Sequence, residues 1–498
     1  MNAASSNASP TDAHHPGDRA GPVATHQAPA DTLAALWSAA GMPAEALSHL
    51  SLSGEDPVLP SSFAIGTAAQ ASLGASALAA AALWAHRTGR WQAVSVDMRH
   101  ALAEFRSERY LRVNGGPAPE LWDKIAGLYP TGDGRWVRVH TNFPHHRDGV
   151  LRILKCAYDK EAVRAALAQW KAEDFEAVAS DAGMVVAALR TLDEWQRHPQ
   201  AQALRGLPPV TIEKIGDAPA QPLPAFAPHA EINVDARPLS GVRVLDFTRI
   251  IAGPVAGRTL AAHGADVLHV SAAHLPSMPS LVIDTGRGKR SCELDLRDAD
   301  DKRTLHKLFH GADVVVQGYR PNGLAELGVG PEAVARARPG IVYVSLSAYG
   351  HVGPWSGKRG FDSLVQTATG INADEAQDAG SAEPRALPAQ VLDHAAGYLL
   401  AFGAMAALHR RAVEGGSWHV RVSLAQVGQW LRSLGPVPGG TAVPDQHIDE
   451  ISDLLTVEES GFGELTVVRH AAHLSETPAH WALPSVPLGT HAAEWLPR

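Results

Sequence analysis

The second half of the chain alternates short β-branched segments with helical segments, and this alternation constrains the fold more than any other feature. GVRVLDF (241–247) predicts a strand, AGPVAGRTLAAHG (252–264) predicts a helix, and ADVLHV predicts the next strand. The tetrapeptide HGAD, where a helix ends and a strand begins, occurs at 263–266 and again at 310–313. Strands that alternate with helices form right-handed βαβ units on a parallel sheet. We therefore predict an α/β protein with a Rossmann-like parallel sheet core, whose ligand lies beyond the carboxyl ends of the strands.

The first half of the chain predicts a second, smaller α+β region made of helices and a hairpin. SALAAAALWAHRTGRW (76–91) has helical character, and YPTGDGRWVRVHTN (129–142) has a Gly-Asp-Gly turn followed by alternating residues, as in a β-hairpin. A proline-rich stretch separates this region from the core. The predicted segments are a disordered tail at 1–32, the smaller region at 33–215, a linker at 216–238, the core at 239–435 and a C-terminal return segment at 436–498.

Composition argues against several classes of protein. The 498 residues carry a net charge of −9 with both signs spread along the chain, so we expect no nucleic acid partner. The two cysteines, Cys156 and Cys292, cannot form a disulfide framework, which favours a reducing cytoplasm. The first thirty residues lack the pattern of a signal peptide, and the longest apolar run (71–85) is too short to span a bilayer. We expect a soluble, cytoplasmic protein without membrane contact.

Several common catalytic motifs do not occur in the sequence. No G-x-G-x-x-G follows the first strand, and neither a P-loop nor a G-x-S-x-G elbow is found. The chain has 25 histidines, but no H-E-x-x-H, and the closest pairs have no evident further ligands. We therefore predict no metal site.

The sequence contains a weak internal repeat. Residues 73–102 and 396–427 each have a helix of small residues, a basic end, a Gly-Trp turn and a strand-like piece. This similarity favours an old duplication or fusion over a chance likeness between alanine-rich helices.

Five blocks between residues 241 and 427 occur together in a distinctive order. They are GVRVLDFTRIIAGPVAGRTLAAHGADVLHV, GRGKRSCELDLRD, ADVVVQGYRPNGLAELGVG, IVYVSLSAYGHVGPWSGKRGFDSLVQTATG and the segment around Asp393. In this order the chain resembles the class III CoA-transferase family, which includes formyl-CoA and carnitine CoA-transferases and alpha-methylacyl-CoA racemase. Material similar to the family's second half precedes the core, so the resemblance implies a rearranged or degenerate tandem arrangement.

The resemblance implies a role for one aspartate. Asp362 matches the family's nucleophile, which transfers CoA between an acyl-CoA and a carboxylic acid through a covalent aspartyl intermediate. The alternative is a helix-capping aspartate whose charge partner is Lys358 or Arg359. A racemase or isomerase of the same family would need a histidine where Phe361 stands, although Asp393 matches its downstream acid. A non-catalytic CoA-binding or scaffold subunit is the third hypothesis.

The resemblance also implies a binding site for coenzyme A, which would serve as substrate and product. Residues Ile250, Ile251 and Ala252 follow the first core strand, where a helix N-terminus can face a diphosphate. Lys289 and Arg290 match positions that meet CoA phosphates, the alternative being a solvated basic turn. Tyr319 matches an aromatic residue near the adenine. The family further implies acyl-CoA and carboxylic acid partners and a homodimer.

Two departures from the family pattern remove positive charge from the expected CoA site. Glu326 stands where an arginine is usual, and AAHLPSMPSL (272–281) replaces a segment that carries another arginine. We expect weak CoA affinity unless the first half supplies substitutes, for which Arg87, Arg90 and Arg99 are candidates.

Overall fold

The computed structural model describes residues 26–226, 236–320 and 323–497. Most of the predicted tail lies outside these residues, and the first helix already begins at Pro29. The helices are α1 (Pro29–Ala39), α2 (Ile65–Thr88), α3 (Met98–Glu104), α4 (Ser107–Tyr110), α5 (Pro144–Leu154), α6 (Lys160–Leu167), α7 (Ala172–Asp181), α8 (Leu192–Arg197), α9 (Pro199–Leu204), α10 (Ala252–Ala262), α11 (Pro279–Thr285), α12 (Ala299–Gly311), α13 (Pro331–Ala337), α14 (Asp362–Ala368), α15 (Ile371–Asp378), α16 (Val391–Glu414) and α17 (Leu424–Ser433). The strands are β1 (Leu50–Ser53), β2 (Val94–Asp97), β3 (Arg112–Val113), β4 (Gly116–Pro117), β5 (Gly127–Pro130), β6 (Trp136–Val139), β7 (Val186–Ala188), β8 (Val210–Gly216), β9 (Arg243–Phe247), β10 (Asp266–Ser271), β11 (Lys289–Glu293), β12 (Val314–Gln317), β13 (Val342–Ser347), β14 (Ser417–Ser423), β15 (Leu455–Ser460), β16 (Gly463–Val468) and β17 (Ala472–Leu474).

A seven-stranded sheet forms the core and confirms the predicted α/β fold. Its strand order is β11-β10-β9-β12-β13-β14-β8. The first six strands run parallel, and β8 pairs antiparallel with β14 at one edge. The order of the chain reverses between β9 and β12, which is the switch point where doubly wound sheets bind their ligands.

Helices α2 and α16 pack against each other at the centre of the molecule. The side chains of α16 are buried over almost its whole length, and Gly397 lets it approach α10 closely, since a Cβ there would lie 2.7 Å from the carbonyl oxygen of Ala252. Both α2 and α16 are long and apolar enough to cross a membrane by length and composition, but 94% and 100% of their apolar windows are buried inside the protein. Burial of this extent is typical of central helices in a packed core.

The first half of the chain contains the predicted hairpin, which is confirmed. Strands β5 and β6 pair antiparallel, β7 adds to them, and helices α5 to α7 cover the apolar face of this small sheet. Strand β8, which comprises the last residues of the predicted smaller region and the first residue of the predicted linker, pairs with β14 and extends the core sheet. The return segment also crosses between regions, because β16 pairs with β3 and β17 pairs with β2. The predicted segment boundaries themselves remain predictions.

The internal repeat corresponds to a repeated helix–strand–helix unit. Elements α2, β2 and α3 follow one another in the first half as α16, β14 and α17 do in the second. The two long helices of these units are the ones that pack together at the centre.

Candidate active site

Asp362 lies at the first position of α14, where its carboxylate is 1% exposed. It does not cap its own helix, whose N-cap residue is Phe361 without a side-chain cap bond. Its Oδ2 accepts a hydrogen bond from the backbone N–H of Asp393 at 3.0 Å, in the first turn of α16. Its Oδ1 accepts from the Nε2 of Gln366 at 2.5 Å. The carboxylate therefore faces the N-terminus of another helix, which favours its negative charge.

The proposed charge partners of a capping aspartate are bound elsewhere. Lys358 donates to Glu176 at 2.7 Å, and Arg359 donates to the carbonyl oxygen of Gly183 at 3.0 Å. The capping alternative for Asp362 thus loses the ion pair on which it depended.

Burial raises the pKa of Asp362 to about 6, against the lowering effect of its bonds to Asp393 and Gln366. A carboxylate with this pKa is ionised at neutral pH and is poorly hydrated. Such a group is more nucleophilic than a carboxylate in bulk water, because fixed dipoles replace its hydration shell.

A cavity of about 40 Å³ adjoins Asp362. It is lined by residues from both halves of the chain, including Glu108, Trp122 and His140 from the first half and Asp393 from the second. The ring of His140 stacks on that of Phe361 with centroids 4.1 Å apart, and burial lowers the pKa of His140 to about 3, so the imidazole is neutral. The smaller region therefore closes the wall around the carboxylate.

Two larger cavities continue from this one along the carboxyl ends of the core strands. The nearer, of about 360 Å³, shares Ile250 and Phe361 with the cavity at Asp362. The farther, of about 390 Å³, shares Tyr319 and Phe247 with the nearer one. We call these the middle and outer cavities. Together they form a path at the switch point of the sheet, and each has a volume typical of ligand sites.

The predicted residues after the first core strand lie at this junction. Ile250 has φ of 76°, a left-handed conformation that a β-branched residue rarely adopts, and it borders both the middle cavity and the cavity at Asp362. Ile251 lines the cavity at Asp362, and Ala252 begins α10. Tyr319 lines the middle and outer cavities.

Lys289 and Arg290 are placed differently from a solvated basic turn, because both are buried in strand β11. Lys289 donates from Nζ to the Oδ2 of Asp246 and to the carbonyl oxygen of Pro254, both at 2.8 Å. Arg290 pairs with Asp266 at 3.0 Å. Their contact with CoA phosphates remains a prediction, and both cations are already neutralised by buried or half-buried carboxylates.

The three arginines of the first half that were candidates to replace the missing CoA contacts bind other groups, away from these cavities. Arg87 donates to the carbonyl oxygens of Pro238 and Pro224, Arg90 pairs with Glu476, and Arg99 pairs with Asp453.

Other cations line the path to Asp362. Arg249, Arg320, Lys358 and Arg359 border the middle cavity, and Arg297 borders the outer one together with Glu326. The segment 272–281, which lacks the family's arginine, contributes mainly apolar walls such as Leu275. The positive charge thus surrounds the middle cavity.

Sequence reasoning missed the residues that the first half brings to the cavity at Asp362. Glu108 lines the cavity at Asp362, and Arg138, which lies over the ring of Trp122 at 5.5 Å, acts electrostatically on Asp362. Burial lowers the pKa of Arg138 to about 10. The one available signal was the alternation of β6, where Trp136, Arg138 and then His140 fall on the face opposite to Val137 and Val139.

Within 26–226, 236–320 and 323–497, no cluster of three or more His, Cys, Asp or Glu side chains could hold a metal ion. That the whole protein has no metal site remains a prediction.

The fold and site define an α/β protein of the doubly wound class, with a buried carboxylate at one end of a path of cavities. The model of CoA-transferase family III matches residues 17–238 and 239–437. The chain therefore belongs to CoA-transferase family III. Two matches in one chain agree with the repeated helix–strand–helix unit and with the predicted tandem arrangement.

The curated relatives are named as CoA-transferases. The chain is 29% identical over 66% of its length to an acyl-CoA transferase of Gibberella moniliformis, covering 64% of that protein. It is 35% identical over 40% of its length to the probable fatty acyl-CoA transferase Rv3272 of Mycobacterium tuberculosis, covering 53% of it. It is 30% identical over 38% of its length to the succinate–glutarate CoA-transferase of Agrobacterium fabrum, covering 52% of it. The chain thus spans about half to two thirds of the length of these relatives.

Among solved structures, a crystal structure of Rv3272 is 33% identical, with 40% of this chain and 57% of that chain covered and a TM-score of 0.38.

Proposed function

We propose that the protein transfers coenzyme A between an acyl-CoA thioester and a carboxylic acid through a covalent intermediate on Asp362. The observation that carries this proposal is the position of Asp362, buried and ionisable at one end of the path of cavities. Membership of CoA-transferase family III supports the reaction class.

The reaction begins when an oxygen of Asp362 attacks the thioester carbon. The C–O bond forms, the C–S bond breaks, and CoA leaves as a thiolate, giving a mixed anhydride. The thiolate then attacks Cγ of Asp362, and the acyl group departs as a carboxylate, leaving an aspartyl-CoA thioester. An acceptor carboxylate repeats the two steps in reverse and restores free Asp362. Because the overall reaction exchanges one thioester for another, no ATP is consumed.

Two of these steps are attacks on Cγ of Asp362, first by the thiolate and later by the acceptor carboxylate. In both, negative charge develops on an oxygen of Asp362 itself. Gln366 and the backbone N–H of Asp393 already donate to its two oxygens. Whichever oxygen is free in the mixed anhydride therefore keeps one donor when the thiolate adds. One well-aimed donor of this kind is worth about 10²–10³ in rate.

CoA would lie along the path, with its adenine in the outer cavity beside Tyr319 and its phosphates near Arg249, Arg320 and Arg359. Arginine is well suited to phosphate because its planar guanidinium can donate two parallel hydrogen bonds. The pantetheine arm would then run past Ile250 to Asp362. The relatives' names include acyl, fatty acyl, succinate and glutarate groups, and a screen of acyl-CoA donors and carboxylic acids identifies the acyl group and acceptor of this chain.

The test traps the intermediate. The protein is incubated with a panel of acyl-CoA donors and treated with hydroxylamine, and tryptic peptides are analysed by mass spectrometry. We expect a hydroxamate on Asp362 in the wild type and none in Asp362→Asn. Asp378→Asn, which alters an aspartate outside these cavities, serves as the matched control and should label normally.

The remaining hypotheses give different results in the same experiment. Deuterium incorporation at the acyl α-carbon without a hydroxamate would favour a racemase or isomerase. Bound CoA with neither product would favour a scaffold subunit, and either outcome would refute covalent transfer.

We also propose a cytoplasmic homodimer, on the strength of the family resemblance and the two free cysteines. Light scattering after size-exclusion chromatography should give twice the chain mass of 52.6 kDa, and a monomer would refute the dimer.

A further inference from the structure

Three carboxyl groups from three different elements border the cavity at the nucleophile. Asp362 comes from α14, Asp393 from α16 and Glu108 from α4. They are 1%, 6% and 3% exposed. Three carboxylates cannot all stay ionised in so dry a space, because each charge opposes the others and burial penalises each one. At least one of them therefore carries a proton at neutral pH.

The hydrogen bonds of the three groups indicate which one is protonated. Glu108 accepts from the Nε2 of His394 at 3.1 Å and lies 3.7 Å from Arg109. Asp362 accepts two hydrogen bonds from Gln366 and the backbone of Asp393. In the part of the chain that the structure describes, the carboxyl of Asp393 has neither a hydrogen-bond donor nor a cation as partner.

The electrostatic surroundings agree with this assignment. Burial raises the pKa of Asp393 well above its ordinary value, and the charges of Asp362 and Glu108 raise it further. Burial alone would also raise the pKa of Glu108, but His394 and Arg109 bring it below its ordinary value.

The other titratable groups around the cavity leave Asp393 as the carboxyl with the most strongly raised pKa. From α4, Arg109 acts on Glu108, and from β6 the charge of Arg138 acts on Asp362. His140, which also follows from β6, is neutral because burial lowers its pKa to about 3. The proton is therefore held most firmly at Asp393.

We infer that Asp393 is a catalytic residue: its protonated carboxyl donates a hydrogen bond to the acyl oxygen when Asp362 attacks the thioester. This role rests on the proposed function. The C=O electron pair moves onto the oxygen as the new C–O bond forms, and it returns when the C–S bond breaks. The proton stays on Asp393 throughout, so the step needs no further acid or base. A neutral carboxylic acid can serve as such a donor where its surroundings keep it protonated.

This role complements that of the backbone. The N–H of Asp393 already donates to Asp362 and so supports the steps at Cγ of Asp362. The side chain of the same residue supports the steps at the acyl carbon. One residue at the start of α16 would thus serve both carbonyl centres.

The test compares Asp393→Asn, which keeps a donor of the same size, with Asp393→Ala, which removes it. Both retain the backbone N–H that holds Asp362. We expect kcat of Asp393→Ala to fall about 10²–10³-fold with KM changed less than about threefold. Asp393→Asn should stay within about tenfold of the wild type.

The pH profile separates donation from a merely structural role. In the wild type, kcat should rise as Asp362 ionises near pH 6 and fall again at the higher pH where Asp393, whose pKa is raised by burial and by neighbouring carboxylates, loses its proton. The Asn variant should lose this decline at higher pH, because an amide does not titrate. Thermal melting and CoA titration of each variant show whether it is folded and loaded.

Several results would overturn the inference. An Asn variant as slow as the Ala variant would mean that the carboxylate or a transferable proton is needed. If Asp393→Ala is as fast as the wild type, the side chain of Asp393 has no role in catalysis. If the wild type forms the Asp362 adduct and Asp393→Ala forms it equally fast, only this inference fails; if the wild type forms no adduct with any donor, the proposed function and this inference fail together.

Discussion

Replacing Lys289 by methionine distinguishes a structural ion pair from a phosphate-binding residue. Its Nζ lies 2.8 Å from the Oδ2 of Asp246, and both side chains are almost fully buried. At that distance the gross attraction is about 6 kcal/mol for an effective dielectric constant of about 20. Burial offsets part of this attraction, but removing one partner leaves a buried charge unpaired, which costs about 3–5 kcal/mol. We expect Lys289→Met to lower the free energy of unfolding by about this amount at pH 7.

The double variant Asp246→Asn/Lys289→Met removes both charges and should recover at least half of the loss. Urea unfolding followed by circular dichroism measures the stabilities, and titration calorimetry measures CoA affinity. Arg359→Met is the matched control, since Arg359 is an exposed cation on the middle cavity. It should leave stability nearly unchanged and weaken CoA binding roughly 10-fold or more, as expected for a charged hydrogen bond.

The pH dependence supplies an internal check. Burial alone would raise the pKa of Asp246, but Lys289, His269 and Thr248 hold it below its ordinary value in the wild type. Its contribution to stability is therefore present above the unfolded pKa of about 3.9 and is lost as pH falls. Without Lys289 the pKa of Asp246 should rise above that value, so the gap between variant and wild type should narrow from pH 7 to pH 4. Unchanged stability with a tenfold loss of CoA affinity in Lys289→Met would refute this reasoning and restore the phosphate role.

Three further predictions concern Asp362 and the central helices. Single-turnover formation of the Asp362 adduct should slow about tenfold between pH 7 and pH 5, because protonation near pH 6 removes the attacking form; a flat profile would contradict a titrating nucleophile. Gln366→Ala should move this acid limb to higher pH, since the charged form loses a hydrogen bond, and should lower kcat about 10²-fold in steady-state assays; an unshifted limb would show that the bond is unimportant. Gly397→Val should lower the free energy of unfolding by about 1–3 kcal/mol in urea titrations, because its Cβ would meet the carbonyl oxygen of Ala252 and the side chain of Val255 at 2.7 Å; wild-type stability would contradict the close packing of α10 and α16.

The parallel core could be predicted from the sequence because its signals are local. Each strand and the helix after it are encoded by neighbouring residues, and the handedness of the connection then arranges them. The pairing of strand β8 could not be predicted for the opposite reason, since VTIEKIG carries no sign of whether it pairs with a hairpin or with β14, more than 200 residues later. Pairing over such a distance depends on the assembled fold.

The candidate site also combines residues that local sequence signals predict with residues that only the assembled fold brings in. The motif around Asp362 and the residues after β9 were recognised from local order, and they lie along the path of cavities. Glu108 and His140 reach the cavity only because the first half folds over the core, and no local sequence pattern predicts this packing. The environment of Lys289 could have been foreseen in part, because Asp246 lies within a strongly apolar strand, and a buried carboxylate there requires a cation.

Each half of the chain has a carboxylate that accepts hydrogen bonds from backbone N–H groups at the start of its long central helix, but the surroundings of the two carboxylates differ. At the start of α2, the carboxylate of Asp56 accepts hydrogen bonds from the backbone N–H groups of Gly66 and Thr67 at 2.9 and 2.8 Å, much as Asp362 accepts from Asp393 at the start of α16. Gly66 has no room for a side chain, because a Cβ would lie 2.4 Å from Asp56. The second half places an acidic side chain in its first turn, and a cavity lies beside it. A carboxylate at a helix N-terminus is thus an ordinary structural contact in this fold. At Asp362, unlike at an ordinary helix N-terminus, the cavity beside the carboxylate is also bordered by the side chain of Asp393 from the first turn of α16.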